Sequence, residues 1–269
     1  MTFFQAALLG MIQGLTEFLP VSSSGHLALA EAFLHIPLSN ASLQGFDIVL
    51  HAGTLCALLI CYRKTWWRLL GAFFGRNHAH RALLVALIIS TIPAVVVGVL
   101  FQNYIVELLR SPMTVGLAFL LTALVLLLGE RFPVHRRSMA LPRTRAFLIG
   151  CAQACALVPG LSRSGLTISA ARMAGLSRSE ALDFSFLMAA PVIAGAGLIT
   201  AKDAFSGAIF LPPISIVILG FCTSLLVSIG TVLFLRRWVA MKSLGWFALY
   251  LIPLGTVLIA KEMIVGFLS

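Results

Sequence analysis

Charged residues are scarce in this chain, and that scarcity excludes most classes of soluble protein. Of its 269 residues, 10% are charged and 60% are apolar, whereas a soluble domain averages about 25% charged and about 45–50% apolar residues. Too little polar surface remains to cover a water-soluble globule, and the high hydrophobicity also excludes a disordered chain. The composition predicts an all-α polytopic membrane protein, with room for about six to eight spanning helices of about 20 residues each.

Acidic residues are rarer than basic ones. The chain has 19 Lys and Arg against 9 Asp and Glu, a net charge of +10, which in a soluble protein would suggest a nucleic-acid partner. Here the cations lie in short loops between apolar runs, where the positive-inside rule explains them, so no nucleic-acid partner is expected. No Lys or Arg precedes Arg63. Without a basic region before the first apolar run, a cleaved signal peptide is not expected.

Cysteines are few and odd in number. The five are Cys56, Cys61, Cys151, Cys155 and Cys222, all in or beside apolar stretches. Cys151 and Cys155 have helical spacing but no Cys or His neighbours that would complete a zinc site. We therefore expect small buried hydrophobic residues rather than metal ligands.

Six apolar runs are long enough to span a bilayer. They cover residues 47–62, 82–101, 112–130, 182–201, 212–235 and 244–261. The loops between them alternate between rich and poor in basic residues. The rich loops carry Arg63, Lys64, Arg68, Arg76 and Arg81, then Arg131, Arg136, Arg137, Arg143 and Arg145, then Arg236, Arg237 and Lys242. The poor loops carry Arg110 beside Glu107, Lys202 beside Asp203, and Lys261 beside Glu262. By the positive-inside rule the rich loops face the cytoplasm.

Two further apolar segments, residues 1–35 and 144–178, do not fit this alternation. The first span ends inside at Arg63, so the segment before it enters from the outer side and returns there. The second segment begins inside and returns inside, because the next span exits at Lys202. Each has a Pro/Ser/Gly break at its centre, and both are predicted to be re-entrant helix–loop–helix hairpins. Such irregular backbone is tolerated at membrane depth only where protein or a polar cavity surrounds it.

The two hairpins resemble each other at an offset of 140 residues. The matching pairs are Gly10 and Gly150, Gln13 and Gln153, Ser22 and Ser162, Ser24 and Ser164, and Gly25 and Gly165. Each half then holds one hairpin and three spans, and since three is odd the halves have opposite orientations. The sequence predicts a single integral membrane domain, an inverted-topology repeat of about residues 1–130 and about residues 144–269, whose broken helices meet near the midplane. The alternative is two unrelated apolar segments that share Ser and Gly by chance.

Ionisable residues at membrane depth are costly and are functional candidates by default. In the first hairpin, Gln13 and Glu17 are four residues apart, which places both side chains on one helix face. A proline then stops that helix, and the serines that follow suit an N-cap. They are Ser22, Ser23 and Ser24. His26, at the start of the next helix, can act as an acid, a base or a nucleophile.

The second hairpin has a similar break followed by a helix start. A proline and a glycine precede Ser162, Arg163 and Ser164, and Thr167 follows one turn later. Two helix N-termini therefore converge in the membrane, where free N–H groups and positive dipole ends favour an anion. Arg163 adds a guanidinium that can bind phosphate bidentately. Both hairpins together predict a phosphate site.

The negative charge of Glu17 would repel an anion bound at this site. A carboxylate beside a phosphate makes sense if it holds a divalent cation, since Mg²⁺ is usually bound by one or two carboxylates plus substrate phosphates. Alternatively, it positions a water molecule or acts as a base. Ser23 and Ser162 could attack phosphorus or donate hydrogen bonds. With His26 and Arg163 these groups suit phosphoryl transfer, in which positioning and electrostatics supply the rate.

Each candidate also has a structural interpretation. Ser22 and Ser164 are at least as well explained as helix caps, and the carboxylate and guanidinium could form an ion pair across the repeat. Thr167 could donate to its own helix, and His51 is either a core histidine or a site residue. We expect Asp47, Glu180 and Asp183 to be solvated caps at the ends of spans. We expect His78, His80 and His135, which lie in basic loops, to titrate in water.

Two stretches make the chain recognisable. Residues 14–26 (GLTEFLPVSSSGH) and 159–167 (PGLSRSGLT) resemble the motifs of the BacA/UppP family of undecaprenyl-pyrophosphate phosphatases, and the resemblance covers essentially the whole chain. It implies removal of the terminal phosphate of a C55 polyprenyl diphosphate, giving the lipid monophosphate that carries cell-wall precursors in peptidoglycan synthesis, and a link to bacitracin resistance. It further implies a divalent cation, Mg²⁺ or Ca²⁺, the bacterial inner membrane, and a site that opens to the periplasm.

The resemblance also assigns roles to individual residues. The resemblance implies metal ligands at Gln13 and Glu17, catalytic groups at Ser23, His26, Glu17 and Arg163, and phosphate contacts at Arg163, Ser162 and Thr167. The neighbouring hydroxyls of Ser22, Ser24 and Ser164 are further candidates for phosphate contacts. Two departures stand out: many members have Glu at the position of Gln13, and His51 replaces an expected Gln and is an accessory candidate. The nucleophile is Ser23, His26 or water, and we favour Ser23 with His26 accepting its proton.

Other functions share some of these features. Inverted repeats with broken midplane helices are also a transporter architecture, so a transporter or lipid flippase is the main alternative, although a carrier needs no nucleophile and base. The type-2 phosphatidic acid phosphatases share Ser24-Gly25-His26, but their chemistry needs a second histidine downstream, and none follows His135. The expected partners are a polyprenyl diphosphate and membrane lipids, and a homodimer is left open.

Overall fold

The structure is all-helical in the part of the chain that it describes. A computed structural model describes residues 1–75, 80–108, 111–134, 138–139, 141–205 and 211–268. The predictions for Arg76, His78, Arg110, His135, Arg136 and Arg137 lie outside these residues. Eleven helices and no strand occur within these ranges. They are α1 (Phe3–Thr16), α2 (Ser23–Leu34), α3 (Asn40–Cys61), α4 (Arg63–Phe73), α5 (Arg81–Leu108), α6 (Pro112–Glu130), α7 (Arg143–Cys155), α8 (Arg163–Met173), α9 (Arg178–Phe205), α10 (Ile214–Met241) and α11 (Gly245–Leu268).

Six of the described helices are long and apolar enough to cross a bilayer, which confirms the predicted multi-pass membrane protein. They are α3, α5, α6, α9, α10 and α11, the six predicted spans. Large apolar side chains cover their outer surfaces: Val99 is 71% exposed and Leu226 is 68% exposed, as expected where lipid is the solvent. Helix α3 begins earlier than its apolar run, because Ser39 Oγ accepts a hydrogen bond from the Ser42 N–H and caps it.

The basic loop predicted after the first span is instead helix α4. Tyr62 ends α3 and also starts α4. Leu69 and Ala72 are buried, whereas Trp67 and Phe73 are largely exposed. A short helix that combines basic residues with exposed aromatic ones is typical of an element lying in the membrane interface.

Two pairs of short helices correspond to the predicted hairpins. Residues 17–22 join α1 to α2, and residues 156–162 join α7 to α8. With 14 residues, α1 is about 21 Å long and too short for a hydrocarbon core of about 30 Å. Both second helices begin at serine caps: Ser22 Oγ accepts from the N–H three residues on at 3.3 Å, and Ser162 Oγ does so at 3.1 Å. Their re-entrant placement in a bilayer stays a prediction.

Helix packing follows the correspondence between the two halves. Helix α1 packs on α10, and its counterpart α7 packs on α5, while α3 packs on α9 and α6 on α11. A Cβ added at Gly10 would lie 2.7 Å from the Gly220 carbonyl oxygen, and one added at Gly150 would lie 2.5 Å from the Ser90 carbonyl oxygen. Such small residues let helix backbones approach closely in membranes. Each hairpin is thus held by a helix of the other half, whereas the inverted orientation itself stays a prediction.

The expected burial of the cysteines and the expected solvation of one carboxylate are wrong. Cys56, Cys61 and Cys151 are only half-buried, and Cys155 and Cys222 are exposed, because the outer helix surfaces meet lipid and tolerate a small apolar side chain there. Asp183 is not a solvated cap: it accepts a hydrogen bond from the Tyr62 hydroxyl at 2.5 Å. Glu180 is confirmed as a cap, since its carboxylate accepts from both the N–H and the hydroxyl of Ser177.

Candidate active site

The two hairpins meet at Glu17, a buried carboxylate that follows α1. Its Oε2 accepts hydrogen bonds from Ser23 Oγ at 2.7 Å and from Gln13 Nε2 at 3.0 Å. Its Oε1 accepts from the guanidinium of Arg163, and His51 Nε2 lies 3.4 Å from Oε2. These five residues, the Glu17 cluster, come from α1, α2, α3, α8 and the first turn. The predicted proximity of Gln13 and Glu17 on one face is confirmed.

Hydrogen bonds between the two turns fix this arrangement. The Gly160 N–H donates to Ser24 Oγ at 3.4 Å, and Ser164 Oγ donates to the Leu19 carbonyl at 2.9 Å. Gly160 has a φ of 89°, and a Cβ there would lie 2.9 Å from the Val115 Cα. The second turn therefore depends on glycine at this position, both for its backbone conformation and for its close approach to α6.

The turn serines repeat in geometry as they do in sequence. Ser22 shares a hydrogen bond with Ser24 at 3.3 Å, and Ser162 shares one with Ser164 at 3.2 Å. The capping interpretation is confirmed for Ser22, while Ser164 instead bridges to the other hairpin. The Ser162 N–H donates to Thr122 Oγ1 at 3.1 Å. These serines surround the N-termini of α2 and α8, the part of a helix that favours an anion.

Arg163 places a guanidinium in the cluster, and one of its nitrogens, Nη1, has no hydrogen-bond partner in the described residues. Its side chain is 17% exposed and that of Glu17 is 5% exposed, so bulk water screens the pair weakly. While Nη2 donates to Glu17, Nη1 is buried and has no hydrogen-bond partner in the described part of the chain. A buried donor without an acceptor is costly. A phosphate oxygen would supply that acceptor.

His26 faces away from Ser23 and towards α11. Its Nδ1 lies 2.7 Å from the Ser22 carbonyl oxygen, and its Nε2 lies 2.8 Å from the hydroxyl of Tyr250. A carbonyl can only accept, so Nδ1 carries the proton and Tyr250 donates to Nε2. The rings of His26 and Tyr250 also stack, with centroids 5.7 Å apart. The favoured Ser23–His26 pair does not form among the described residues, because the Ser23 hydroxyl donates to Glu17 instead.

The comparison with known proteins agrees with both motifs. The model of a family described as "Bacitracin resistance protein BacA" matches residues 6–257, a range that contains both hairpins. The chain belongs to the BacA family. The undecaprenyl-diphosphatase of Elusimicrobium minutum is 37% identical over 267 residues, covering 98% of this chain and 99% of that protein. The undecaprenyl-diphosphatase of Rubrobacter xylanophilus is 39% identical over 264 residues, covering 95% and 97% of the two chains.

Two residues that the BacA family motifs single out have contrasting surroundings. Thr167 Oγ1 donates to the Arg163 carbonyl at 2.7 Å and shares a hydrogen bond with Ser185 at 2.6 Å. Its back-bond to its own helix is thereby confirmed, and its hydroxyl joins α8 to α9 rather than entering the Glu17 cluster. His51 donates from Nδ1 to the Asp47 carbonyl at 2.7 Å, which leaves Nε2 facing Glu17. Its side chain is 29% exposed, so His51 is not a fully buried core histidine, and its accessory role stays a prediction.

The Glu17 cluster offers few ligands for the divalent cation that the BacA family resemblance implies. No group of three or more His, Cys, Asp or Glu side chains that could hold a metal occurs in the described ranges, and Glu17 is the carboxylate of the cluster. However, Gln13 Oε1 is buried and accepts no hydrogen bond within the same ranges. This unpaired oxygen beside Glu17 fits a cation that takes its remaining ligands from substrate phosphates and water.

Tyr250 is the residue of this BacA family site that sequence reasoning missed. It lies in the apolar run of α11, 224 residues from His26, and belongs to neither motif. The available signal was weak: a tyrosine inside a span carries a hydroxyl that needs a partner. That signal marks a polar contact without naming the partner.

Proposed function

We propose that this BacA family member hydrolyses undecaprenyl diphosphate to undecaprenyl phosphate and inorganic phosphate. The observation that carries this proposal is the hydrogen bond from the Ser23 hydroxyl to the buried Glu17 carboxylate, beside the Arg163 guanidinium, whose Nη1 has no hydrogen-bond acceptor in the described residues. Relatives that match nearly the whole chain are named undecaprenyl-diphosphatases. A transporter would need the guanidinium to recognise an anion, but not a nucleophile held by a base. The product would recycle the lipid carrier for cell-wall synthesis.

In this proposal the diphosphate lies between the two turns. Arg163 Nη1 and the N–H groups that begin α2 and α8 donate to phosphate oxygens, with the hydroxyls of Ser162 and Ser164 beside them. The polyprenyl tail extends into the surrounding lipid. The site opens on the face opposite the basic loops, which the positive-inside rule makes the periplasmic face of the bacterial inner membrane.

A divalent cation, Mg²⁺ or Ca²⁺, is part of the proposal. Glu17 and the free Oε1 of Gln13 would hold it together with phosphate oxygens. When bound, it neutralises negative charge on the diphosphate and on the departing phosphate. The resemblance to the family's acidic motif implies Glu at the position where this chain has Gln13. With one carboxylate instead of two, the cation is expected to bind more weakly here and to depend more on the substrate.

Ser23 is the proposed nucleophile and Glu17 its base. The Ser23 hydroxyl already donates to Glu17 Oε2 at 2.7 Å, so Glu17 takes that proton as Oγ bonds to the terminal phosphorus. The bond from that phosphorus to the bridging oxygen breaks, and undecaprenyl phosphate leaves with the electron pair. Water then attacks the phosphorus of the phosphoserine, and the bond from that phosphorus to Ser23 Oγ breaks. Glu17 returns its proton to Oγ, and inorganic phosphate departs carrying both protons of the water. His26, whose Nε2 accepts from the Tyr250 hydroxyl, takes no proton in this sequence.

The test is phosphate release from undecaprenyl diphosphate by the purified protein in detergent, with EDTA, Mg²⁺ or Ca²⁺. We expect cation-dependent release that Ser23→Ala and Arg163→Ala each reduce by at least about a hundredfold. Ser228→Ala is the matched control, because the Ser228 hydroxyl is buried on α10 without a partner in the described residues. It should leave release unchanged.

Two further results separate the alternatives. Acid quenching during turnover of a substrate labelled in its terminal phosphate should leave label on Ser23. If Ser23→Ala retains full activity, water or His26 is the nucleophile and the serine step is wrong. If the intact protein releases no phosphate with any of these cations, hydrolysis is wrong, and the anion site is better explained by transport or lipid flipping.

A further inference from the structure

A second polar cavity, of about 380 Å³, lies where α3, α4, α9 and α10 come together. Arg63, Lys64, Arg68 and Arg236 line it, and Asp183 is the acidic residue among its described lining. We call this cavity the basic pocket. Its cations lie on α4 and at the end of α10, in the basic segments that the positive-inside rule places on the cytoplasmic side, opposite the proposed opening of the active site.

The basic pocket has an excess of positive charge. Four cationic side chains face one carboxylate, and that carboxylate already accepts from the Tyr62 hydroxyl at 2.5 Å and lies 3.4 Å from Arg236. The guanidinium of Arg236 is further held over the Tyr62 ring, 5.3 Å from its centroid. Arg63, Lys64 and Arg68 are exposed and have no ion pair within the described ranges. Three cations are thus available to an anionic ligand.

An apolar groove adjoins the basic pocket along α5 and α9. It begins with a cavity of about 390 Å³ that shares Leu187 with the pocket and is lined by apolar side chains, including Trp66, and by Thr91. A third cavity, of about 240 Å³, shares Val95 and Pro191 with the second and reaches Leu157 in the second hairpin turn. A charged pocket that leads into a long apolar groove has the form of a complete lipid site, with places for a head and a tail.

The basic pocket is separate from the Glu17 cluster. Tyr62 follows His51 by eleven residues at the end of α3, which is a rise of about 16 Å. The buried ring of Phe186 packs edge-on between Phe18 and Tyr62, with centroid distances of 5.1 Å and 6.3 Å. One closely packed aromatic layer therefore divides the first hairpin turn from the pocket floor.

We propose that the basic pocket and the groove together bind an anionic lipid, one whose phosphate headgroup carries a net negative charge. The phosphate lies among Arg63, Lys64, Arg68 and Arg236, and the acyl or prenyl tail follows the groove between α5 and α9. Basic pockets between membrane helices on the cytoplasmic side recognise phosphate headgroups in this way. The apolar groove favours a lipid over free phosphate, and the proposal does not rest on the hydrolytic activity.

The test measures lipid binding to the intact, delipidated protein in detergent by native mass spectrometry. The probes are phosphatidylglycerol, phosphatidylcholine with the same acyl chains, and inorganic phosphate. The pocket variant is Arg63→Gln/Lys64→Gln/Arg68→Gln. The control, Arg131→Gln/Arg143→Gln/Lys242→Gln, removes the same charge from basic residues that do not line the pocket. A separate variant, Val95→Trp, fills the groove where its two cavities join.

We expect phosphatidylglycerol to bind more tightly than phosphatidylcholine, and the pocket variant to weaken its binding at least about tenfold while the control retains it. Val95→Trp should weaken phosphatidylglycerol binding although it removes no charge. Equal losses of binding in the pocket and control variants would overturn the proposal, because the lipid would then be attracted by the overall positive charge of the protein and not by this pocket. Displacement of the lipid by an equal concentration of inorganic phosphate would also overturn it, since the pocket would then be a free-phosphate site.

Discussion

Removal of Arg163 should separate the stabilising and the catalytic roles of the Glu17 cluster. In Arg163→Ala, the Glu17 side chain remains 5% exposed in the native geometry but loses its guanidinium partner. Ser23 and Gln13 still donate to it. In this variant the buried negative charge of Glu17 has no positively charged partner and is stabilised only by the two neutral donors.

The expected loss can be worked out from this geometry. Deleting one partner of a buried ion pair costs about 3–5 kcal/mol, mostly because the other charge stays buried and unpaired. The two donors that remain on Glu17 place Arg163→Ala at the lower end, a loss of about 3 kcal/mol in the free energy of unfolding. Adding Glu17→Gln removes the stranded charge, so the double variant should regain most of that loss. Neither variant should regain phosphate release.

The assay is denaturant unfolding in detergent, with phosphate release measured on the same preparations. Arg178→Ala is the matched control, because Arg178 pairs with Glu130 at the far end of α6, where its side chain is 37% exposed. It should lower the free energy of unfolding but leave phosphate release by the folded protein intact. If Arg163→Ala unfolds like the native protein, or if Glu17→Gln destabilises it further, the argument from a stranded charge is refuted.

Three further predictions concern single positions. Tyr250→Phe keeps the ring that stacks on His26 but removes the hydroxyl that donates to Nε2, so it should lower the free energy of unfolding by about 1 kcal/mol; an unchanged unfolding free energy would contradict a stabilising role for this hydrogen bond. Gly150→Ala places a Cβ 2.5 Å from a backbone oxygen of α5 and should lower the unfolding free energy by about 1–3 kcal/mol, whereas Gly230→Ala, where nothing lies within 4 Å, should not; equal effects would refute the packing argument. Gln13→Glu adds a second carboxylate and should lower the cation concentration for half-maximal release by about tenfold, and cation titrations that coincide with the native protein would show that this side chain is not a ligand.

Hydropathy and loop charge were sufficient for the membrane-spanning helices. Apolar runs of about 20 residues have few alternatives in a bilayer, so the six spans could be located without knowledge of their partners. The i, i+4 spacing of Gln13 and Glu17 is also local, and the structure keeps both on one face. Helix α4 was missed because its many basic residues suggested a loop, although Tyr62 lets the chain continue as a helix.

The partners of the candidate site residues depend on tertiary structure. Ser23 and His26 are three residues apart in sequence, and nothing local shows that one turns to Glu17 while the other turns to Tyr250. Their partners are chosen by the packing of helices that are distant in the chain. The sequence predicted which residues would be present at the site, but not how they pair.

The exchange of partners between the two halves has a consequence for how the protein is made. The most extensive packing of helix α1 is on α10, a helix of the other half. During synthesis at about 5–20 residues per second, the roughly 200 residues that separate the close-packed Gly10 and Gly220 take about 10–40 s to emerge. Arg163 follows Glu17 by 146 residues, so for about the first 7–30 s the Glu17 carboxylate has no guanidinium partner. Until then the polar groups of the first hairpin must be kept out of the hydrocarbon core, by the insertion machinery or by the bilayer surface. The enzyme cannot become active before its second half has been inserted.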